Sequence, residues 1–123
     1  MSDPDTIWNR AAEGTGGEEG DDALAALLVL HGMVMNGGLV NAIEVAEEEE
    51  LHAAVEGYRF FGLDDAADLI VETQSALDND ADPEILETMK DGEFYDLVPD
   101  DETVYDAFAA KLRDEPSAFA AAD

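Results

Sequence analysis

Residues 21–61 read DDALAALLVLHGMVMNGGLVNAIEVAEEEELHAAVEGYRFF, and the fold class turns on them. Asp21 and Asp22 stand where anionic side chains cap and complement the positive end of a helix. Residues 23–35 are then apolar nearly all the way round, as expected of a central, buried helix. Asn36, Gly37 and Gly38 stop it, because glycine takes the left-handed conformation that closes a helix at low cost. The chain re-enters helix at Leu39. Leu39, Val40, Ile43, Val45 and Ala46 continue a core face, Glu47 to Glu50 form an acidic run, and Leu51, Val55, Tyr58, Phe60 and Phe61 follow. This spacing fits one long helix or two helices with a kink near the acidic run, ended by Gly62.

Downstream, Ala66, Ala67, Leu69, Ile70, Thr73 and Leu77 recur at helical spacing while Asp65, Asp68 and Glu72 face away, so a helix starts at Asp64. Residues 78–82 read as a polar loop, Pro83 opens a short helix through Lys90, and Gly92 closes it. Phe94, Tyr95, Leu97 and Val98 suggest an irregular or single-turn segment. A last helix spans about residues 101–114, with Val104, Tyr105, Phe108 and Leu112 inward, before a final turn around Phe119. Upstream, residues 2–12 read as a short helix with Ile7 and Trp8 on its apolar side. Residues 13–20 carry four glycines in eight positions and read as a flexible connector. No alternating strand pattern occurs, and 20 alanines favour helix. The expectation is all-α: a single domain of about six to seven helices over residues 21–123, with a short N-terminal arm and connector over residues 1–20.

Composition removes several classes of function. The chain has 123 residues, no cysteine, and 32 acids against 5 bases, for a formal charge of −27. Disulfide scaffolds, thiol catalysis and cysteine-ligated zinc are excluded. Only Lys90, Lys111, Arg10, Arg59 and Arg113 are basic, too few to hold phosphates against such a charge, so direct binding of nucleic acid or anionic lipid is not expected. The natural partner is a basic protein. The 46% apolar content exceeds that of a disordered acidic tail. The acidic N-terminus and the short apolar stretch, interrupted by His31 and Gly32, lead us to expect no leader or membrane span and a cytoplasmic location. A homodimer is compatible with this composition.

A family resemblance rests on Asn36-Gly37-Gly38-Leu39 after the apolar helix, on residues 51–77 (LHAAVEGYRFFGLDDAADLIVETQSAL), on Glu93-Phe94-Tyr95 and on residues 114–119 (DEPSAF). Together these resemble a bacterial family of small helical proteins of largely unknown function, over roughly residues 24–121. At least one branch of it acts by DNA mimicry, its acidic surface occupying the DNA-binding face of a transcriptional regulator. The resemblance implies an all-helical, non-enzymatic protein in which Asn36, Gly37, Gly38 and Gly62 are structural. The sequence departs from the family pattern twice: Leu39 replaces the usual aromatic, and Glu47 to Glu50 replace a serine-glycine loop.

The residue-level candidates are the acidic rows. Asp65, Asp68 and Glu72 lie at i, i+3 and i+7, and Glu84, Glu87 and Asp91 repeat that spacing; Glu44, Glu47, Glu48 and Glu50 extend the stripe. One turn rises about 5.4 Å, so such rows set carboxylates on a scale comparable with strand phosphates. Neighbours about 6 Å apart repel by roughly 0.7 kcal/mol in water, a standing cost to folding. Outer-face charges on amphipathic helices are usually only solvated. Salt adaptation is a specific competitor: 17 Asp and 15 Glu against 2 Lys suit concentrated salt, which screens self-repulsion. On that alternative the chain is a salt-adapted housekeeping or toxin-neutralising domain whose acidity is generic. Mimicry calls for a concentrated stripe, whereas salt adaptation spreads acids over every face.

Other chemistry is poorly supplied. Glu49 and His52 form one E-x-x-H pair, but helical di-iron sites need two, so no metal site or cofactor is expected. His31 on an apolar helix reads as a core histidine bonded to backbone. Ser2, Ser75 and Ser117 stand in no nucleophile motif, and Glu19 takes the place of the last glycine of a phosphate loop.

Overall fold

The computed structural model describes residues 4–13 and 17–119. Its axis is α2 (Glu19–Gly37), whose Leu24, Leu27, Leu30, His31 and Val34 are buried. Helix α4 (Glu48–Phe60) crosses α2 at Gly57, where a Cβ would stand 2.5 Å from the Ala23 carbonyl oxygen, so only glycine permits this approach. On its other side α2 meets α1 (Pro4–Ala12), which buries Ile7 and Ala11. Helix α3 (Leu39–Val45) turns off the end of α2, and α5 (Asp64–Asp78) packs on α4 and α3. Then α6 (Pro83–Leu86), a π-helical turn (Glu87–Asp91) and α7 (Gly92–Leu97) run without a break, followed by α8 (Asp101–Asp114) and a 3₁₀ turn (Pro116–Ala118). Among the described residues there is no strand: the fold is all-α, and the unbroken α6 to α7 run makes seven helical rods.

One core unites these elements. Tyr58 meets Phe94 edge-on at 6.1 Å, and Phe108 lies 5.5 Å from Phe119 and 6.3 Å from Phe61. Trp8 stacks obliquely on Tyr105 and Phe108, at 5.1 and 5.8 Å. The N-terminal helix and the final turn therefore close over the same aromatic cluster. Each fully buried large apolar side chain stabilises the fold by about 1.5–3 kcal/mol relative to exposure.

Several local expectations change. Helix α2 begins at Glu19, inside the stretch read as connector, and residues 14–16 of that stretch lie outside the described residues. Asp21 caps this helix as expected, but from a buried position: it is 1% exposed and accepts from the amides of Glu18 and Gly17 at 3.3 and 3.4 Å. Arg10 completes its pairing at 2.7 Å, tying α1 to α2. Although apolar all round, α2 leaves Val29 and Met35 exposed, so its burial is incomplete on one side.

Of the two readings for residues 39–61, two helices are found. Ala46 and Glu47 are extended, and the Glu47 amide donates to the Glu50 carboxylate at 3.1 Å, restarting the helix. Gly92 does not close a helix. Its φ and ψ of −63° and −41° are helical, and of the irregular or single-turn readings for the segment after it the helical one is nearer: it is α7, six residues long, with Phe94 fully buried. His31 bonds not to backbone but to Asp101 at the start of α8, Nε2 to Oδ1 at 2.7 Å.

Candidate partner-binding surface

The sequence-derived acids divide by where their helices hold them. On α5, Asp65, Asp68 and Glu72 are exposed along one side, as helical spacing requires. Their row faces Glu93 and Asp96 of α7 across a shallow groove of about 350 Å³ floored by Leu69 and Leu97. Sequence reading missed Glu93 and Asp96 because their segment was not recognised as helix; their i, i+3 spacing was the available signal.

This groove is partly neutralised. Lys90 Nζ bridges it, 2.8 Å from Glu72 and 3.5 Å from Glu93, and Arg59 reaches Asp68 at 2.9 Å. The hydrogen bond that Lys90 donates to Glu72, together with the attraction of both carboxylates, holds the Lys90 pKa above the ordinary lysine value. Two of the five basic residues thus serve this one row.

Glu44, Glu47, Glu48 and Glu50 gather at the junction of α3 and α4. Part of this run is local helix chemistry. Glu50 back-bonds to the Glu47 amide, and Glu48, Glu49 and Glu50 occupy the first turn of α4, where the helix dipole favours anions. Glu44 and Glu48, with Asp78 from the last turn of α5, rim a second shallow cleft of about 490 Å³. Ile43, Leu51 and Leu77 supply its apolar floor. Asp78 was missed because it was assigned to the loop that starts just beyond it.

The third row does not stay in line. Glu84 and Glu87 are exposed, but Asp91 turns inward, its Oδ1 accepting from the amides of Leu39 and Val40 at 3.0 and 3.2 Å. The intervening π turn holds more residues per turn than an α-helix, which moves Asp91 away from the side expected of an unbroken α-helix. Asp91 therefore caps α3. Gly38, at φ 90°, makes room for it: a Cβ there would stand 2.6 Å from Asp91 Oδ2. Of the other residues read as structural, Asn36 and Gly37 complete the last turn of α2, and Gly62, at φ 78°, lets the chain turn from α4 into α5.

Exposed acids are not confined to these rows. Asp5, Asp22, Glu56, Asp101, Glu102 and Asp106 are also exposed, so every α-helix carries at least one. Among the described residues, no group of three or more histidines, aspartates or glutamates is arranged to hold a metal ion. Among them, too, no helix is long and apolar enough to cross a membrane.

A small, all-helical protein with a carboxylate-rich surface is the class these features define. The chain belongs to the family described as DMP19-like protein, which matches residues 18–122; these are small, all-helical bacterial proteins known for DNA mimicry. No curated protein and no solved structure matches the chain significantly.

Proposed function

We propose that this protein is a non-enzymatic DNA mimic of the cytoplasm, which binds a basic nucleic-acid-binding protein and blocks its nucleic-acid site. The observation that carries the reading is the charge of −27 on a folded member of the DMP19-like family. In this reading Glu44, Glu47, Glu48, Glu50, Asp65, Asp68, Glu72, Glu84 and Glu87 face the partner, and Asp91 supports them from within. Long-range attraction speeds encounter and makes affinity strongly dependent on salt. Affinity capture from the source lysate at low and high ionic strength tests the idea. The retained protein is expected to bind DNA, to be displaced by duplex DNA and to be lost at high salt. Captured proteins that duplex DNA cannot displace would remove the mimicry.

The wide spread of exposed acids favours a second reading, in which the charge is an adaptation to concentrated salt. Unrelated proteins of the same source would then be equally acidic. An ordinary charge balance among them would leave mimicry as the better account.

A further inference from the structure

We propose that the cleft where α3, α4 and the end of α5 meet seats an arginine side chain of the basic partner. This rests on the reading above and narrows it to one chemical group at one place.

Among the acid-lined clefts of the described residues, the α5 to α7 groove and the α3 to α5 cleft differ in electrostatic state. In the α5 to α7 groove, Asp68, Glu72 and Glu93 already have cationic partners in Arg59 and Lys90. At the other cleft Glu44, Glu48 and Asp78 are exposed, and among the described residues none has a side-chain ion pair or hydrogen bond. Three acidic residues thus line one opening without a cationic partner among the described residues, and an incoming cation displaces no resident one.

The floor selects the kind of cation. Ile43, Leu51 and Leu77 present carbon beneath the carboxylates. A long side chain can lay its methylenes on that floor and hold its charged head at the rim. Guanidinium suits this better than ammonium: it is more weakly hydrated, and its fork of five N–H donors can serve more than one carboxylate. Val45, 63% exposed beside Glu44, offers further apolar contact to the chain carrying the arginine.

The test is a methyl and amide NMR titration of the full chain with a short lysine-flanked peptide carrying one central arginine. A second peptide replaces that arginine by citrulline, its neutral isostere. Saturable shifts are expected at the Ile43, Leu51 and Leu77 methyls with the arginine peptide. The citrulline peptide, and the Glu44→Gln, Glu48→Gln, Asp78→Asn triple variant, should each bind about tenfold weaker or less, in line with charge-assisted hydrogen bonds. Ala46→Phe fills the cleft without altering charge and should weaken binding equally, its folding being read from the same spectra. A triple variant of equal charge change at exposed acids outside the rows, Glu56→Gln, Glu102→Gln, Asp106→Asn, should bind the arginine peptide within about twofold of the parent. Equal affinity for both peptides, or shifts spread over the other acids, would overturn the arginine seat while leaving the basic-partner reading intact. Failure of every cationic peptide to bind, even at low salt, would overturn both.

Discussion

The Asp91 carboxylate caps α3 from 52 residues away, accepting the Leu39 amide at 3.0 Å. Its contribution is to stability rather than to the outer surface. Asp91→Ala should lower stability by about 1–2 kcal/mol, the usual range for a lost helix cap, as measured by denaturant unfolding. Glu87→Gln, four residues earlier but exposed, should stay within about 0.5 kcal/mol of the parent. Equal losses for the two would contradict the capping role.

Arg10 and Asp21 form a largely buried ion pair between α1 and α2. The Asp21 side chain is fully buried and the Arg10 side chain 18% exposed, whereas the Arg59 and Asp68 side chains are 39% and 66% exposed. Arg10→Ala removes the guanidinium from a buried carboxylate and should destabilise by about 3–5 kcal/mol. Arg59→Ala should cost no more than about 1 kcal/mol. Thermal unfolding of the two variants side by side decides the matter.

Tyr58 carries a buried hydroxyl that makes no hydrogen bond among the described residues, and burial pushes its pKa up. A phenol with a raised pKa keeps its proton in the folded state when the unfolded chain has released it. Stability from this group is therefore complete below about pH 10 and declines as pH rises above that value. Tyr58→Phe should leave the fold as stable as the parent or more so, by up to about 2 kcal/mol, and flatten the alkaline decline. Tyr95→Phe instead forfeits the hydrogen bond to the Val34 carbonyl oxygen and should be neutral or destabilising. Urea unfolding at pH 8 and above pH 10 separates these outcomes.

Salt should act in opposite directions on folding and on binding. Raising KCl to about 1 M shortens the screening length to about 3 Å, relieving the self-repulsion of −27 charges, so the unfolding temperature should rise. Association with a basic partner should weaken over the same range. A flat unfolding temperature would mean that the carboxylates are too far apart to repel appreciably.

The parts legible from sequence were those governed by local periodicity. The start of α5 at Asp64, the turn at Gly62 and the span of α8 follow from apolar spacing and caps within a few residues of each boundary. Gly92 misled because glycine also tolerates a helical interior, and only the packing of Phe94 reveals that the helix continues through it. Asp91 misled for a related reason: the i, i+7 rule assumes an α-helix throughout, and nothing local announces the π turn. Asp78 and Lys90 took on meaning only in three dimensions. Asp78 meets Glu44 across more than thirty positions, and Lys90 turns the α5 row from a uniform line of negative charge into a partly paired one.

The single surplus residue in the π turn leaves a dislocation in the pattern of charges. Helices before it and after it are each regular, yet their acidic edges are out of phase, much as a spliced ruler loses its count at the join. A partner that gripped this face by a fixed pitch would fall out of step near Glu87. Whatever engages the whole surface must bend, or hold it at separate points.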